Sequence, residues 1–356
     1  MNDLPLQYDI ANLNDIDGIV DCVKNLTHLH YFTAEAVKSI VRWRFFDCPL
    51  LSKPLMLVCR HDNDIVGTLG YFPALFESKG RAITVACPSY VYVKPEYRRQ
   101  GIYTELLKYS YRFYFNDLHF ILATENVAVG SVVQEKAGFW PFGIKERCRR
   151  IQWLPMLRYM FLKAISPNCL INEVNNQLVK PSRAIITDKE KILDVYEELT
   201  NHFQFESSDE ILIPYRTRDY MQWRINHPAR QYVLVPYFQK NQIQSAFLCS
   251  ISHRNVDIVD FISSNDDNFP KNLNILIKKI HFPRIVIYTA YTKEKYKTTL
   301  LKKRFSNRDI WSKFKKPRRI PNMFYPMGKD HLYENFAEEQ LNSLQIQLNG
   351  LAIDVN

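Results

Sequence analysis

A mixed α/β architecture, a central sheet flanked by helices and occurring twice along the chain, is the fold class this sequence predicts. Three observations lead there. LMLVCRHDNDIVGTLGYF (55–72) reads as two antiparallel strands around an Asp-Asn-Asp turn. TVACPSYVYV (84–93), an apolar helix and the apolar run HFILAT (119–124) form a βαβ crossover, whose two strands are parallel. Finally, the order helix, Trp-Arg, proline, strand, turn, strand of 40–72 returns at 220–250, with Trp223-Arg224 standing against Trp43-Arg44.

Each element has a local reason. Residues 15–30 and 33–46 repeat apolar side chains at steps of three and four, and Thr33 is placed to cap the second helix. After the hairpin and the strand to Val93, a helix is expected from near Ile102 to about Phe115, then the strand HFILAT. VAVGSVVQEKAGF reads as a helix stopped by Gly138, with strands following between Phe139 and Trp153. In the second half YVLVPYFQKNQIQSAFLCS is a hairpin, VDIVDFI and RIVIYTAY are strands, and Lys303-Arg304-Phe305 stands where Ala137-Gly138-Phe139 stood. The expected division is 1–160, a connector 161–186, a worn second copy 187–330, and a C-terminal helix and tail 331–356, with the helix over 331–350.

A chain of 356 residues exceeds what one ordinary core accommodates, which agrees with two units. With 46% apolar and 24% charged residues it has the composition of a folded globular protein. The net charge of +10 favours an anionic partner without choosing between nucleic acid, an acidic membrane face and a phosphorylated small molecule. Seven scattered cysteines, never spaced C-x-x-C, encode neither a disulfide framework nor a zinc site, and no H-x-x-x-H is present, so no metal is expected and a reducing cytoplasm is the expected location. The start of the chain lacks the pattern of a secretion signal, and the longest apolar run, MLRYMFLKAI, carries Arg158 and Lys163 and is too short to span a bilayer. The basic, aromatic-interleaved segment 297–319 can be read as an anion-binding strip or as a solvated face; the second reading is preferred, and no nucleic-acid partner is expected.

The most informative stretch is VKPEYRRQGIYTELL, 93–107. A strand end, a donor-rich turn and a helix start bring unpaired N–H groups and the positive end of a helix dipole to one point, which is an anion site. Gly101 admits the anion close to the backbone, and Arg98 and Arg99 add charge-assisted hydrogen bonds. The spacing is neither that of a P-loop nor of G-x-G-x-x-G. A basic surface turn is the plain alternative.

Arg98-Arg99-Gln100-Gly101-Ile102-Tyr103, between its strand and helix, resembles the acetyl-CoA pyrophosphate loop of the GNAT superfamily of N-acetyltransferases, patterned Arg/Gln-x-x-Gly-x-Gly/Ala. TENVAVGSVVQEKAGFWPFG is similar to that family's next segment, an Asn after the fifth strand and a helix closing in Lys-x-Gly-Phe. The resemblance covers about residues 5–155 well and 187–306 faintly, and so implies a tandem member with a degenerate second domain. It implies that Tyr92 and Val93 bind pantetheine through their backbone, that Arg98, Arg99, Gln100, Gly101, Ile102, Tyr103 and Thr104 hold the pyrophosphate, and that Asn126 positions the arm. It also marks two departures: Tyr103 replaces a small residue, and Gln134 stands where many relatives carry the tyrosine that protonates the thiolate.

The implied activity is transfer of an acetyl group from acetyl-CoA to a primary amine of a small molecule, an amino sugar being one candidate. Such chemistry needs a general base and a donor for the carbonyl oxygen. Glu125 and Tyr90 are the candidates, each with a plainer reading as a solvated carboxylate and a packed strand tyrosine. The expected assembly is a monomer, acting as a pseudo-dimer, or a homodimer. An acyl-CoA sensor without turnover, and transfer to a protein lysine or N-terminus, are the alternative functions.

Overall fold

The structure, a computed structural model, describes residues 5–24, 26, 29, 32–123, 133–144, 147–157, 160, 185–202, 211–252, 255–263, 265–288, 294–305, 321–327, 329 and 345–346. The chain opens with a short strand β1 (Gln7–Ile10), which the sequence pattern does not reveal, and then helices α1 (Ile16–Val23) and α2 (Ala34–Phe45). Thr33 caps α2 as expected, its hydroxyl accepting from the Ala36 N–H at 3.3 Å. Strands β2 (Met56–His61), β3 (Asp64–Ser78) and β4 (Arg81–Val93) form a meander. Its second turn, Lys79-Gly80, takes positive φ at both residues, as a type I′ hairpin turn does. Helix α3 (Ile102–Tyr114) leads to β5 (Phe120–Ala123), parallel to β4.

β6 (Trp140–Ile144) and β7 (Arg147–Ile151) are separated by only Lys145 and Glu146, neither a residue that favours the left-handed backbone of a tight hairpin. The two strands do not pair with each other. β7 joins the second sheet, antiparallel to β12, and the place beside β5 is filled by β13 (Pro321–Pro326), antiparallel to both β5 and β6. Each sheet therefore contains a strand contributed by the other part of the sequence.

The second half contains α4 (Lys189–His202), β8 (Ile211–Pro214), α5 (Arg218–Ile225), β9 (Gln231–Gln239), β10 (Gln242–Ser252), β11 (Asn255–Ser263), α6 (Phe269–Lys279), β12 (Arg284–Tyr288) and α7 (Glu294–Lys302). β14 (Gln345–Ile346) pairs with β8, which pairs with β3. Those two residues are a strand inside the expected C-terminal helix 331–350; the rest of that helix, and the connector up to residue 184, lie outside the described residues. The order in the first sheet is β1-β2-β3-β4-β5-β13-β6, and in the second β7-β12-β11-β10-β9. Both sheets are mixed, flanked by helices, and contain one parallel pair along these paths, β4 with β5 and β11 with β12.

The recurrence of Trp-Arg has a geometric counterpart. Trp43 Nε1 donates to the Trp223 carbonyl at 2.8 Å, Trp223 Nε1 donates to the Trp43 carbonyl at 2.9 Å, and the rings stack at 4.7 Å. Mutual contacts of this kind are what a two-fold-related pair of helices makes. The helix ends correspond too. Phe139 N–H bonds to the Gln134 carbonyl and Gly138 N–H to that of Glu135, with Gly138 at φ 90°; Phe305 and Arg304 repeat the pair on Leu300 and Leu301, with Arg304 at φ 62°. One apolar core joins the first sheet to α4 and α5, and a second lies between the other sheet and α6 and α7.

Candidate functional site

The site is built where β4 parts from β5. Their pairing is confined to Val85 with Phe120 and Ala86 with Ile121, while β4 continues to Val93. Past that pairing β4 carries a β-bulge: Thr68 faces Tyr92 and Gly70 faces Ser89, so Tyr90 and Val91 together stand opposite Leu69. Tyr90 takes φ 50°, and its carbonyl accepts from Thr68 Oγ1 at 2.8 Å. Beyond the bulge Tyr92 and Val93 pair with Thr68 and Gly67 of β3, and β5 offers them no partner among the described residues.

The loop follows directly. A single 3-10 turn, Pro95–Tyr97, carries the chain to Arg98. Arg99 adopts φ 66° and Gly101, the N-cap of α3, φ 79°. Left-handed backbone at a non-glycine residue is uncommon and turns successive amides toward one side. A Cβ on Gly101 would meet nothing within 4 Å, so its role is to supply the backbone angle, not to relieve crowding. The N–H groups of Arg99, Gln100, Gly101, Ile102, Tyr103 and Thr104 have no acceptor among the described residues. A 13-residue helix thus aims its positive end at exposed backbone donors with the charge of Arg99 beside them. Arg98 is partly committed elsewhere. Its Nε donates to the Val93 carbonyl at 3.0 Å and its guanidinium lies 5.6 Å from the Tyr92 ring, which ties the loop to the strand end.

Tyr103 points inward from the first turn of α3, and Gln134 Nε2 donates to its hydroxyl at 3.1 Å. Burial pushes the Tyr103 hydroxyl up to about 12, against the opposing pull of Gln134. Sequence reasoning noticed both residues as departures from the family pattern but could not see that they meet, because they lie on different helices.

The ring of Tyr90 is 4% exposed, edge-on to Phe45 and with the Arg44 guanidinium 4.8 Å above it. Arg44, itself buried, donates to Ser89 Oγ at 2.9 Å, so it braces the bulge from α2. Glu125 and Asn126 lie outside the described residues. No cluster of three or more His, Cys, Asp or Glu suited to a metal occurs among the described residues. Cys22, Cys48, Cys59, Cys87 and Cys249 are buried and form no disulfide, and burial pushes the Cys22 and Cys48 thiols up to about 12.

The equivalent place in the second half is arranged differently. After the β11 bulge Asp260 is held by Arg216 through bonds of 2.6 and 3.0 Å and by the Tyr196 hydroxyl. The following turn carries Asp266 and Asp267, with Asp266 accepting from Tyr296 at 2.5 Å, and Pro270 removes a donor from the first turn of α6. Carboxylates occupy the position where the first half presents bare amides.

Residues 15–123 match the family model of the acetyltransferase (GNAT) domain, and the match contains the bulge, the loop and α3. This chain carries a GNAT acetyltransferase domain. That domain makes the protein an acyltransferase. Its fold is similar to that of a GCN5-related N-acetyltransferase from Anabaena variabilis, with a TM-score of 0.55 at 12% identity over 90% of this chain and 72% of that one. A GCN5-related N-acetyltransferase from Kribbella flavida gives 0.51 at 12% over 82% and 67%. The N-myristoyltransferase of Saccharomyces cerevisiae, with bound myristoyl-CoA, gives 0.54 at 13% over 92% and 84%. At these identities it is the fold that is shared. No curated protein matches the sequence.

Proposed function

We propose that this protein transfers an acetyl group from acetyl-CoA to the primary amine of a small acceptor, with an amino sugar the first class to test. The observation that carries the reading is the row of acceptor-free amides from Arg99 to Thr104 at the start of α3, just past the end of β4. In this reading the pyrophosphate of the carrier sits on those amides with Arg99 beside it, Arg98 steadies the loop through the Val93 carbonyl, and the pantetheine arm runs along the backbone of Tyr92 and Val93, helped by Asn126. The division into a catalytic part, 1–160, and a second part, 187–330, that does not bind the carrier is part of the proposal. It is supported by Asp266 and Asp267 at the second loop.

A thioester is already activated, so the protein's task is positioning and proton management. Glu125, through a water, takes the proton from the acceptor ammonium, and the free amine attacks the thioester carbonyl carbon. The tetrahedral adduct gives up its second N–H proton to solvent as its C–S bond breaks, and the departing thiolate takes a proton from an acid. Gln134 cannot supply it, having no acidic proton. We assign that proton to Tyr103, whose hydroxyl Gln134 orients and whose raised pKa keeps it protonated at neutral pH. Tyr90 is assigned to packing under Arg44.

The test is release of free thiol from acetyl-CoA across amino sugars, polyamines, aminoglycosides and lysine peptides. Turnover with an amino sugar supports the proposal. Turnover with lysine peptides alone would redirect it to a protein acceptor, and thiol release only from longer acyl chains would replace acetyl.

A further inference from the structure

We propose that the end of the second sheet where β7, α6 and α7 meet is a docking surface for an anionic lipid bilayer. Residues 153–157 and 160 are helical, beginning with the Met156 N–H bond to the Gln152 carbonyl at 3.0 Å. Trp153, Leu154, Leu157 and Met160 recur at helical steps on one face and are 65%, 81%, 59% and 59% exposed. Of the seven large apolar side chains exposed among the described residues, four are on this turn. A fifth, Leu301, lies in the last turn of α7. Apolar exposure is thus concentrated here, and that separates a docking patch from the ordinary scatter of surface hydrophobics.

What surrounds the patch selects its partner. Gln152 is bonded to the Pro283 and Ile280 carbonyls, at 3.0 and 3.2 Å, and Arg150 Nη1 donates to the Lys303 carbonyl. These bonds set the turn against the ends of α6 and α7, where Lys278, Lys279, Lys302, Lys303 and Arg304 lie. Segments 147–157, 278–284 and 299–305 contain no Asp or Glu. Burial and the nearby charge of Arg304 both lower the Arg150 pKa, as expected where positive charge accumulates.

Lysines at a helix C-terminus stabilise its dipole without any partner, which would account for the cations alone. They would not account for a tryptophan, two leucines and a methionine left in water beside them. An apolar helical face ringed by cations matches the boundary between acyl chains and acidic headgroups, each half of the patch meeting its counterpart. No helix among the described residues is long and apolar enough to cross a membrane, so the contact is with the bilayer surface.

The experiment is sedimentation of the full chain with phosphatidylcholine vesicles, with or without phosphatidylglycerol. Binding to the anionic vesicles should exceed binding to neutral ones by about tenfold or more and weaken with salt. Leu154→Asp/Leu157→Asp should lose about tenfold in binding, since both side chains would enter the acyl boundary. Lys278→Glu/Lys279→Glu should lose the preference for acidic lipid. Thiol release without vesicles should stay at the wild-type level in both, which separates this proposal from the assignment of the acyltransfer site. Equal binding to both vesicle types, no binding, or full binding by the Leu154→Asp/Leu157→Asp chain would overturn it. A concentration-dependent dimer that this double variant abolishes, with no vesicle binding, would assign the face to a second copy instead.

Discussion

Substituting Gly101 by glutamate places a carboxylate among the amides proposed to hold a diphosphate. The backbone change is modest, because φ 79° costs a side-chain-bearing residue about 1–2 kcal/mol and an added Cβ meets nothing within 4 Å. The fold should survive. The electrostatic change is larger: two unit charges about 5 Å apart repel by roughly 3 kcal/mol at an effective dielectric constant of about 20. Affinity for acetyl-CoA should therefore fall by about two orders of magnitude. Gly101→Ala carries the strain without the charge and should lose only about fivefold to tenfold. Calorimetric titration with coenzyme A and the KM for acetyl-CoA in a thiol-release assay both read the effect, with melting temperature as the control for folding. Unchanged affinity in the glutamate variant, with its melting temperature intact, would refute the placement of the anion at α3.

Other consequences are equally measurable. Tyr103→Phe should lower kcat by about 10²–10³-fold with little effect on coenzyme affinity; a kcat within a factor of two of wild type would return the tyrosine to packing. Trp223→Ala removes a buried stacked indole and leaves the Trp43 carbonyl without its donor, so a loss of about 3–5 kcal/mol is expected by chemical denaturation. His227 is packed on Trp43, and burial, with Arg230, Arg44 and Arg224 adding to it, holds its pKa well below the usual value. The unfolded chain then binds a proton that the folded one refuses, so stability falls as pH drops below about 6.5, by up to about 1.4 kcal/mol per pH unit. A His227→Asn variant should show a shallower acid slope than wild type, and identical slopes would exclude the histidine. A chain ending at residue 160 lacks β13 between β5 and β6 and should show no cooperative unfolding.

Much of the first half was legible because its signals are local. The Asp62 turn, the Thr33 cap, the βαβ crossover and the Gly138 stop all depend on residues within a few positions of each other. The loop was legible for the same reason. β1, β8 and β13 were not, since each is a short segment whose strand character comes from a neighbour distant in sequence. The exchange of β7 and β13 was hidden as well: periodicity marks Arg147–Ile151 as able to pair, and nothing in it names the partner.

By itself the sequence determined where amides would be left unpaired, since a strand end, a left-handed glycine and a helix start follow one another within ten residues, 93–102. It also determined that Trp-Arg recurs. Only the tertiary structure decided that the two tryptophans bond each other's carbonyls, that Gln134 meets the Tyr103 hydroxyl, and that each sheet borrows a strand. The division has a physical reason. Backbone conformation and capping are settled by near neighbours, whereas hydrogen-bond partners across a sheet or between helices are chosen when the whole chain closes on its core.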